Sequence, residues 1–346
     1  MTVQHQNFAQ TLPTGYTLRP TTWDDLAAVV DMLNAWSQDR YNQDRFTPEL
    51  IRMEWETPNW SPETHSRVIV TPDGDLVGYA EVWDTADPPV NVWTWARVHP
   101  AYEGRGIGTV LRAWIHARAQ EAIDRCPPEA RVTYKAGVDS KDAAGLQLLE
   151  SLGMQHTRYF WEMRIDMAEA PPAPQWPMGI SVRTYNHAED VDAALSAVID
   201  AFRDHYGFVE RTWEAELERW NHWIESDPER DDSVLFLAVD DANGEVAGVS
   251  LCRNKGWDNP DVAHVSTLGV RRAYRRKGLA LALLQHSFGV FWERGRPSVT
   301  LGVDADSLTG ATRLYEKAGM YVEQRFAQYE FELRPGVELA TVALDD

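Results

Sequence analysis

The fold is decided by residues 268–285, which read Leu-Gly-Val-Arg-Arg-Ala-Tyr-Arg-Arg-Lys-Gly-Leu-Ala-Leu-Ala-Leu-Leu-Gln. The apolar run that ends at Val270 predicts a strand, and a helical apolar pattern begins at Gly278. Between them, positions 271–277 hold five basic residues. A helix N-terminus has unpaired N–H groups and a partial positive charge, and a glycine there lets a ligand approach the backbone closely. The stretch therefore predicts a site for an anion with several phosphate oxygens.

A similar stretch occurs earlier in the chain, at residues 98–108. The predicted elements around the two stretches follow the same order. Each half has a strand, a helix, a hairpin, the loop with its helix, and then a strand that ends Gly-Val-Asp. Counterparts lie about 170 residues apart, which indicates a tandem of two similar modules. The predicted segments are a loose lead-in (1–14), an N-terminal module (15–167), a proline-rich linker (168–178), a C-terminal module (179–333) and a tail (334–346).

Length, composition and charge limit the classes of function that the protein can have. At 346 residues the chain has room for two domains, and its formal net charge of −20 argues against a nucleic-acid partner while favouring a cationic acceptor such as an amine. The sequence has no apolar stretch long enough to cross a membrane and no secretory leader, which predicts a cytoplasmic protein with no membrane partner. It has only two cysteines, which predicts no thiolate metal cluster. Thr109 stands where a dinucleotide-binding G-x-G-x-x-G motif needs its third glycine, so that motif is excluded.

The order Arg275-x-x-Gly278-x-Ala280 resembles the signature loop of the GNAT superfamily, the acyl-CoA-dependent N-acetyltransferases. The resemblance implies that the loop holds the pyrophosphate of coenzyme A. It also implies an α/β (α+β) fold in each module, with a mixed, mostly antiparallel twisted sheet that is flanked by helices and splays to admit the pantetheine arm. No metal is implied. The implied acetyl-CoA contacts are Leu268, Gly269, Val270, Arg275, Arg276, Lys277, Gly278, Leu279 and Ala280, with a weaker set in the first module at Val98, Arg105, Gly106, Ile107 and Gly108.

Members of this superfamily place a general base on the strand before the loop, and often a tyrosine on the last helix near the sulfur. In the second module these positions hold His264 as the candidate base and Tyr315 as the candidate acid. The corresponding residues of the first module are Val92 and Leu149, which cannot transfer a proton. The second module is therefore predicted to be catalytic and the first degenerate.

The two loops differ in the same direction, since Glu103 stands in the first loop where Arg275 stands in the second. A carboxylate there has the wrong sign for a pyrophosphate. This division between an active second half and a degenerate first half is similar to the architecture of the mycothiol synthase family.

The activity that the resemblance implies is transfer of an acetyl group from acetyl-CoA to a primary amine of a small molecule or peptide, by a monomer or a homodimer. Candidate acceptor contacts are His205, Tyr206 and Glu210, which follow the first helix of the second module. The tryptophan-rich stretches 83–95 and 213–223 are expected to pack in cores or between domains. The alternative is a non-enzymatic acyl-CoA-binding or regulatory tandem module.

Overall fold

A computed structural model of the chain describes residues 12–256, 259 and 261–343. The chain forms two compact units. The first unit contains the residues up to Arg158 together with Phe326–Leu339, and the second contains Tyr159–Arg325 and the residues from Ala340 onward. Residues 1–11 of the expected lead-in and 344–346 of the expected tail lie outside the described residues.

The helices and strands occur in the order that the sequence predicts. In the first half they are β1 (Thr17–Pro20), α1 (Leu26–Tyr41), α2 (Pro48–Trp55), α3 (Pro62–His65), β2 (Ser66–Val70), β3 (Leu76–Trp83), β4 (Asn91–Val98), α4 (Ile107–Gln120), β5 (Val132–Asp139), α5 (Ala143–Ser151) and β6 (Gln155–Asp166). In the second half they are β7 (Ile180–Thr184), α6 (His187–Phe202), α7 (Trp213–Glu225), β8 (Leu235–Asp240), β9 (Val246–Arg253), β10 (Ala263–Val270), α8 (Leu279–Glu293), β11 (Ser298–Asp304), α9 (Ala311–Lys317) and β12 (Tyr321–Arg334).

Each unit contains a mixed, mostly antiparallel sheet, as expected. Strands β1 to β5 pair in sequence order in the first unit, and only β4 and β5 run parallel. Strands β7 to β11 repeat this pattern in the second unit, where only β10 and β11 run parallel. Helices α4 and α8 bury one apolar face against these sheets through residues such as Leu111 and Leu283.

The last strand of each half pairs outside the segment that the sequence assigned to it. Residues Phe326–Arg334 of β12 pair antiparallel with β5 in the first unit, and residues Phe160–Asp166 of β6 pair antiparallel with β11 in the second. The compact units therefore differ from the continuous segments 15–167 and 179–333. The physical reason is that strand pairing depends only on matching edges, and two similar modules offer matching edges to either final strand.

Ion pairs hold the β12 segment in the first unit. The Arg131 guanidinium pairs with Glu330, with Glu332 at 2.8 Å and with Glu338 at 3.0 Å. The tail beyond β12 is also attached to this unit, since Val337 N–H donates to the Glu129 carbonyl at 2.7 Å.

The parallel strands of each unit separate partway along their length. In the first unit, pairing of β4 with β5 ends at Thr94 and Ala136. In the second unit, pairing of β10 with β11 ends at His264 and Thr300. Each unit therefore contains a wedge between its central strands, which is the splay that the resemblance implies. No described helix is both long enough and apolar enough to cross a membrane.

Candidate active site

The loop before α4 (residues 99–106) and the loop before α8 (residues 271–278), here called the glycine loops, have the same backbone shape. Gly104 and Gly106 have φ angles of +72° and +82°, and their counterparts Arg276 and Gly278 have +61° and +85°. Gly278 caps α8 without a side-chain hydrogen bond, so the first N–H groups of the helix are available to an anion. A Cβ at Gly278 would meet no atom within 4 Å, which leaves room for a ligand over the turn. The loop therefore fits a diphosphate group.

The basic residues of the second loop divide into two sets. Arg275 pairs with Asp204 and donates to the carbonyls of Ala201 at 2.9 Å and Val270 at 3.2 Å. These bonds use the Arg275 guanidinium to attach the loop to the end of α6, and the expected contact of Arg275 with the cofactor stays a prediction. Arg272 pairs with the same aspartate.

Arg276 and Lys277 remain as the cations at the tip of the loop. The Arg276 side chain is exposed and forms no ion pair with any residue that the structure describes. Among the described residues, the Lys277 ammonium group donates only to the Ala273 carbonyl, at 3.1 Å, and it lies 5.3 Å from the ring centre of Tyr274. These two side chains can turn toward phosphate oxygens at little cost.

In the first loop, the charge of Glu103 is balanced by Arg40, whose guanidinium lies 2.6 Å from the Glu103 carboxylate. Arg105 donates to the Ala101 carbonyl at 3.1 Å and lies over the ring of Tyr102. The first loop therefore has the backbone shape of an anion site with little net charge at its tip.

The wedge of the first unit encloses a cavity of about 380 Å³. The predicted weaker contacts Val98, Gly106, Ile107 and Gly108 line it, whereas Arg105 does not. Its other walls come from the diverging strands, α1, α4 and α5: Trp36, Arg40, Ala96, Arg97, Arg112, Gly137, Val138, Asp142, Leu148 and Leu149.

The second unit contains a different cavity, of about 260 Å³, beside an irregularity in β10. The register of β10 against β9 shifts between Val265 and Thr267, which leaves Ser266 as an extra residue in the strand. Ser266 and Thr267 line the cavity, so the bulge aims the strand at it. The remaining walls are mainly charged and aromatic: Arg219, Trp220, Trp223, Asp227, Arg230, Asp231, Leu251 and Arg253.

Buried side chains occupy the corresponding place in the first unit. Glu81 stands three residues after Gly78 in β3, as Leu251 stands three residues after Gly248 in β9. The Glu81 carboxylate is fully buried and accepts hydrogen bonds from the Tyr79 hydroxyl and from the Trp83 indole, the latter at 2.8 Å. Burial raises the pKa of Glu81 to about 7 although these donors oppose the shift.

His264 lies at the narrow end of the second wedge. Its Nδ1 is 2.9 Å from the Thr300 hydroxyl, which belongs to β11. Burial and, to a smaller extent, the nearby Arg253 lower the pKa of His264 to about 4, so the imidazole is neutral at pH 7. His264 does not line the 260 Å³ cavity, but the bulge that does begins one residue further along the same strand.

Tyr315 lies on α9 and is 7% exposed, packed in the core of the second unit. Burial raises the pKa of its phenol to about 12. No residue that the structure describes hydrogen-bonds to its hydroxyl group. The matching residue of the first unit, Leu149, lines the 380 Å³ cavity.

The three expected acceptor contacts do not line the 260 Å³ cavity. Glu210 forms an exposed ion pair with Arg203 at 2.9 Å, and the ring of His205 packs on Phe202 with 4.3 Å between ring centres. Tyr206, which lies between them in the sequence, does not line the cavity either. The 260 Å³ cavity, on α7 and the loop that follows it, is therefore a second candidate acceptor site beside the expected one in the loop after α6, which stays a prediction.

Trp220 packs against a core cluster, as expected for this stretch, but Trp220 and Trp223 also line the cavity, a role that the sequence analysis did not indicate. Their spacing on α7, with Asp227 one turn beyond Trp223, was the available signal. It also missed Asp204, whose carboxylate next to a strongly basic loop was a cue for pairing. Among the described residues, no group of three or more His, Cys, Asp or Glu side chains could hold a metal ion.

Comparison with known proteins gives consistent matches across both halves. The model of the acetyltransferase (GNAT) family matches residues 30–154 and again 195–320, which confirms the resemblance. Mycothiol acetyltransferase of Salinispora arenicola is 31% identical over 261 residues, covering 74% of this chain and 78% of that protein. The namesake of Thermobispora bispora is 30% identical over 260 residues, covering 73% and 80%.

One solved structure is similar over nearly its whole length. The crystal structure of a GCN5-related N-acetyltransferase from Sphaerobacter thermophilus is 33% identical and covers 95% of this chain and 99% of that chain. The TM-score between the two is 0.77. The fold of this chain is therefore similar to an experimentally determined one over nearly the whole of both chains.

Proposed function

Since the chain belongs to the acetyltransferase (GNAT) family and is thereby an acyltransferase, we propose that it transfers the acetyl group of acetyl-CoA to a primary amine of a small molecule or peptide, in its second unit. The observation that carries the proposal is the bulge at Ser266, which lies between the open 260 Å³ cavity and the strand that leads into the glycine loop. In the first unit the place of that cavity is occupied by the buried Glu81 cluster.

The cofactor contacts in this proposal follow the shape of the loop. The N–H groups of Gly278, Leu279 and Ala280 would bind the diphosphate, with Arg276 and Lys277 adding charge. The backbone of β10 from Leu268 to Val270, beyond its last pairing with β11, would bind the pantetheine amides. Acetyl-CoA supplies the activated acetyl thioester.

The chemistry is direct attack. The amine nitrogen forms a bond to the thioester carbon, the carbon–sulfur bond breaks, and the electron pair leaves on the thiolate. His264 is the proposed acceptor of the amine proton, because its neutral imidazole lies next to the bulge. Tyr315 is the proposed donor to the departing thiolate. The N–H groups at the bulge would donate to the thioester oxygen and stabilise the charge that develops on it.

The acceptor cavity supports an amine as the nucleophile. Asp227 and Asp231 bring carboxylates to the cavity wall, and the indoles of Trp220 and Trp223 provide faces that attract a cation. The carboxylate of Asp227 is shared with Arg253, which lies 2.7 Å away and is itself buried. Asp231 also pairs with an arginine, at 2.7 Å, and arginines outnumber carboxylates in the cavity wall, so an amine would bind mainly at the indole faces.

The first test measures thiol release from acetyl-CoA with a panel of primary amines, including the unacetylated precursor of mycothiol that the name of the relatives suggests. Trp220→Ala should raise the KM for the accepted amine at least tenfold and leave the KM for acetyl-CoA within twofold. Trp213→Ala, a change of the same kind at the exposed start of the same helix, is the matched control. Absence of turnover with every amine, despite acetyl-CoA binding, would reject the proposal.

A further inference from the structure

Arg112 is an arginine at a core position of the first unit. It lies on α4 between the fully buried Leu111 and Ile115 and is 6% exposed. Arg112 is the sixth residue after the capping Gly106, and the sixth residue after Gly278 in α8 is the fully buried Leu284. A guanidinium therefore replaces an apolar side chain of the second unit.

The Arg112 side chain has one hydrogen bond within the described residues, from Nη1 to the Thr94 hydroxyl at 3.3 Å. No described carboxylate pairs with it, although two carboxylates line the same cavity. Glu103 pairs with Arg40 at 2.6 Å, and Asp142 accepts the Gly145 N–H at 2.9 Å as the cap of α5. A buried arginine without a counter-ion is costly, so its retention points to a ligand that supplies one.

The other groups that face Arg112 do not neutralise it. Arg97, from β4, lines the cavity with its guanidinium over the ring of Trp36 and repels Arg112. Tyr134, from β5, would stabilise the charge of Arg112 only as a phenolate, and burial raises the pKa of its phenol to about 12. Burial, more than these neighbours, lowers the pKa of Arg112 to about 10, which still leaves it positively charged at pH 7.

The position of Arg112 in the cavity indicates which end of a ligand it would meet. Thr94, its hydrogen-bond partner, is the last residue of β4 that pairs with β5, so Arg112 lies at the closed end of the wedge. The glycine loop lines the same cavity. Gly106 and Arg112 are six residues apart on one helix, or about 9 Å along its axis. A ligand bound in this cavity with its phosphates at the loop would have its far end at the Arg112 guanidinium.

We propose that the first unit binds an acyl-CoA whose acyl group ends in a carboxylate, such as succinyl-CoA or malonyl-CoA, and holds it without turnover. The diphosphate binds the N-terminus of α4, and the acyl carboxylate pairs with the planar guanidinium of Arg112, which matches a carboxylate in two parallel hydrogen bonds. The neutral acetyl group offers Arg112 no such partner. Val92 and Leu149 supply neither base nor acid, so the ligand stays intact.

The test uses the full chain carrying Gly278→Asp, so that the second loop is blocked and calorimetry reports the first unit. This chain should bind one equivalent of succinyl-CoA at least tenfold more tightly than acetyl-CoA, and free succinate should bind at least a hundredfold more weakly. Adding Arg112→Leu, which restores the side chain of the second unit, should abolish the preference between the two thioesters. Thermal unfolding of this variant should be no lower than that of its parent, because a buried charge is removed.

Equal affinity for acetyl-CoA and succinyl-CoA in the Gly278→Asp chain would overturn the proposal, and so would a preference that survives Arg112→Leu. Binding of free succinate as tight as that of succinyl-CoA would overturn the assignment to a coenzyme A ester. If Arg112→Leu does not fold, Arg112→Met tests the same preference. Because the assay measures binding in a chain whose second loop is disabled, its failure leaves the acetyl transfer proposed for the second unit untouched.

Discussion

Replacing Tyr315 with phenylalanine removes one hydroxyl group from the second unit and keeps the ring that packs in its core. No described residue hydrogen-bonds to that hydroxyl, so the free energy of unfolding should change little. The catalytic effect follows from the pKa of the phenol. Burial raises this pKa to about 12, whereas a free thiol has a pKa of about 8.5.

The difference of about 3.5 units makes complete proton transfer from the phenol to the thiolate unfavourable by roughly 5 kcal/mol. Tyr315 should therefore act mainly as a hydrogen-bond donor to the sulfur as its charge develops. A hydrogen bond to a charged group contributes about 1.5–3 kcal/mol. Its loss should lower kcat by roughly 10- to 150-fold.

Thiol release from acetyl-CoA at saturating amine measures this kcat. Tyr321→Phe is the control, because it removes an exposed hydroxyl that bonds to Asp166 in the same unit. The control should stay within twofold of the wild-type rate, and the KM for acetyl-CoA should change little in either variant. A Tyr315→Phe protein that is folded and retains more than half of the wild-type kcat would refute the role of the phenol.

Three further outcomes are expected. Gly278→Asp should abolish turnover, because a carboxylate would occupy the phosphate site. Gly179→Asp, at another open glycine with positive φ, should keep turnover. Retained turnover in the Gly278→Asp protein would contradict the assignment. Replacing Arg276 and Lys277 with glutamate should weaken acetyl-CoA binding by about 1–3 kcal/mol in calorimetry, and unchanged affinity would mean that the ligand lies elsewhere. The pKa of His264 is lowered in the folded state, so this group favours folding fully above pH 6.5 and progressively less as the pH falls toward 4. In denaturant titrations at several pH values, His264→Gln should reduce the loss of unfolding free energy between pH 6.5 and pH 4. An unchanged dependence of the unfolding free energy on pH would contradict the lowered pKa.

The sequence predicted the tandem fold because the relevant signals are local. The capping glycines, Gly106 and Gly278, and the apolar spacing of the helices that follow them are each read within a few residues, and the structure has them where expected. The pairing of the final strands could not be read in this way. Whether β12 pairs in one unit or the other depends on edges that lie far apart in the chain.

The site was predicted less completely. The basic loop was identified, but the partner of Arg275 was not, because Asp204 lies some 70 residues earlier and sequence spacing carries no information about such a contact. Trp220 packs against a core cluster and also lines the cavity beside the β10 bulge, and its local sequence does not distinguish the two roles. Arg112 carried a readable signal, since it interrupts the apolar face of α4.

The pairing of β12 with β5 has a consequence for how the protein is made. A ribosome releases the N-terminus first, and domains ordinarily fold in that order as they emerge. Here the first unit lacks a strand of its sheet until residues 326–334 have left the exit tunnel. Until then β6 is the final strand within reach of the β5 edge, so the nascent N-terminal half can complete its sheet only by pairing β6 with β5, where the folded protein has β12. A gene truncated at the linker would encode a polypeptide whose β5 edge is either paired with β6 or open, and an open edge would favour aggregation.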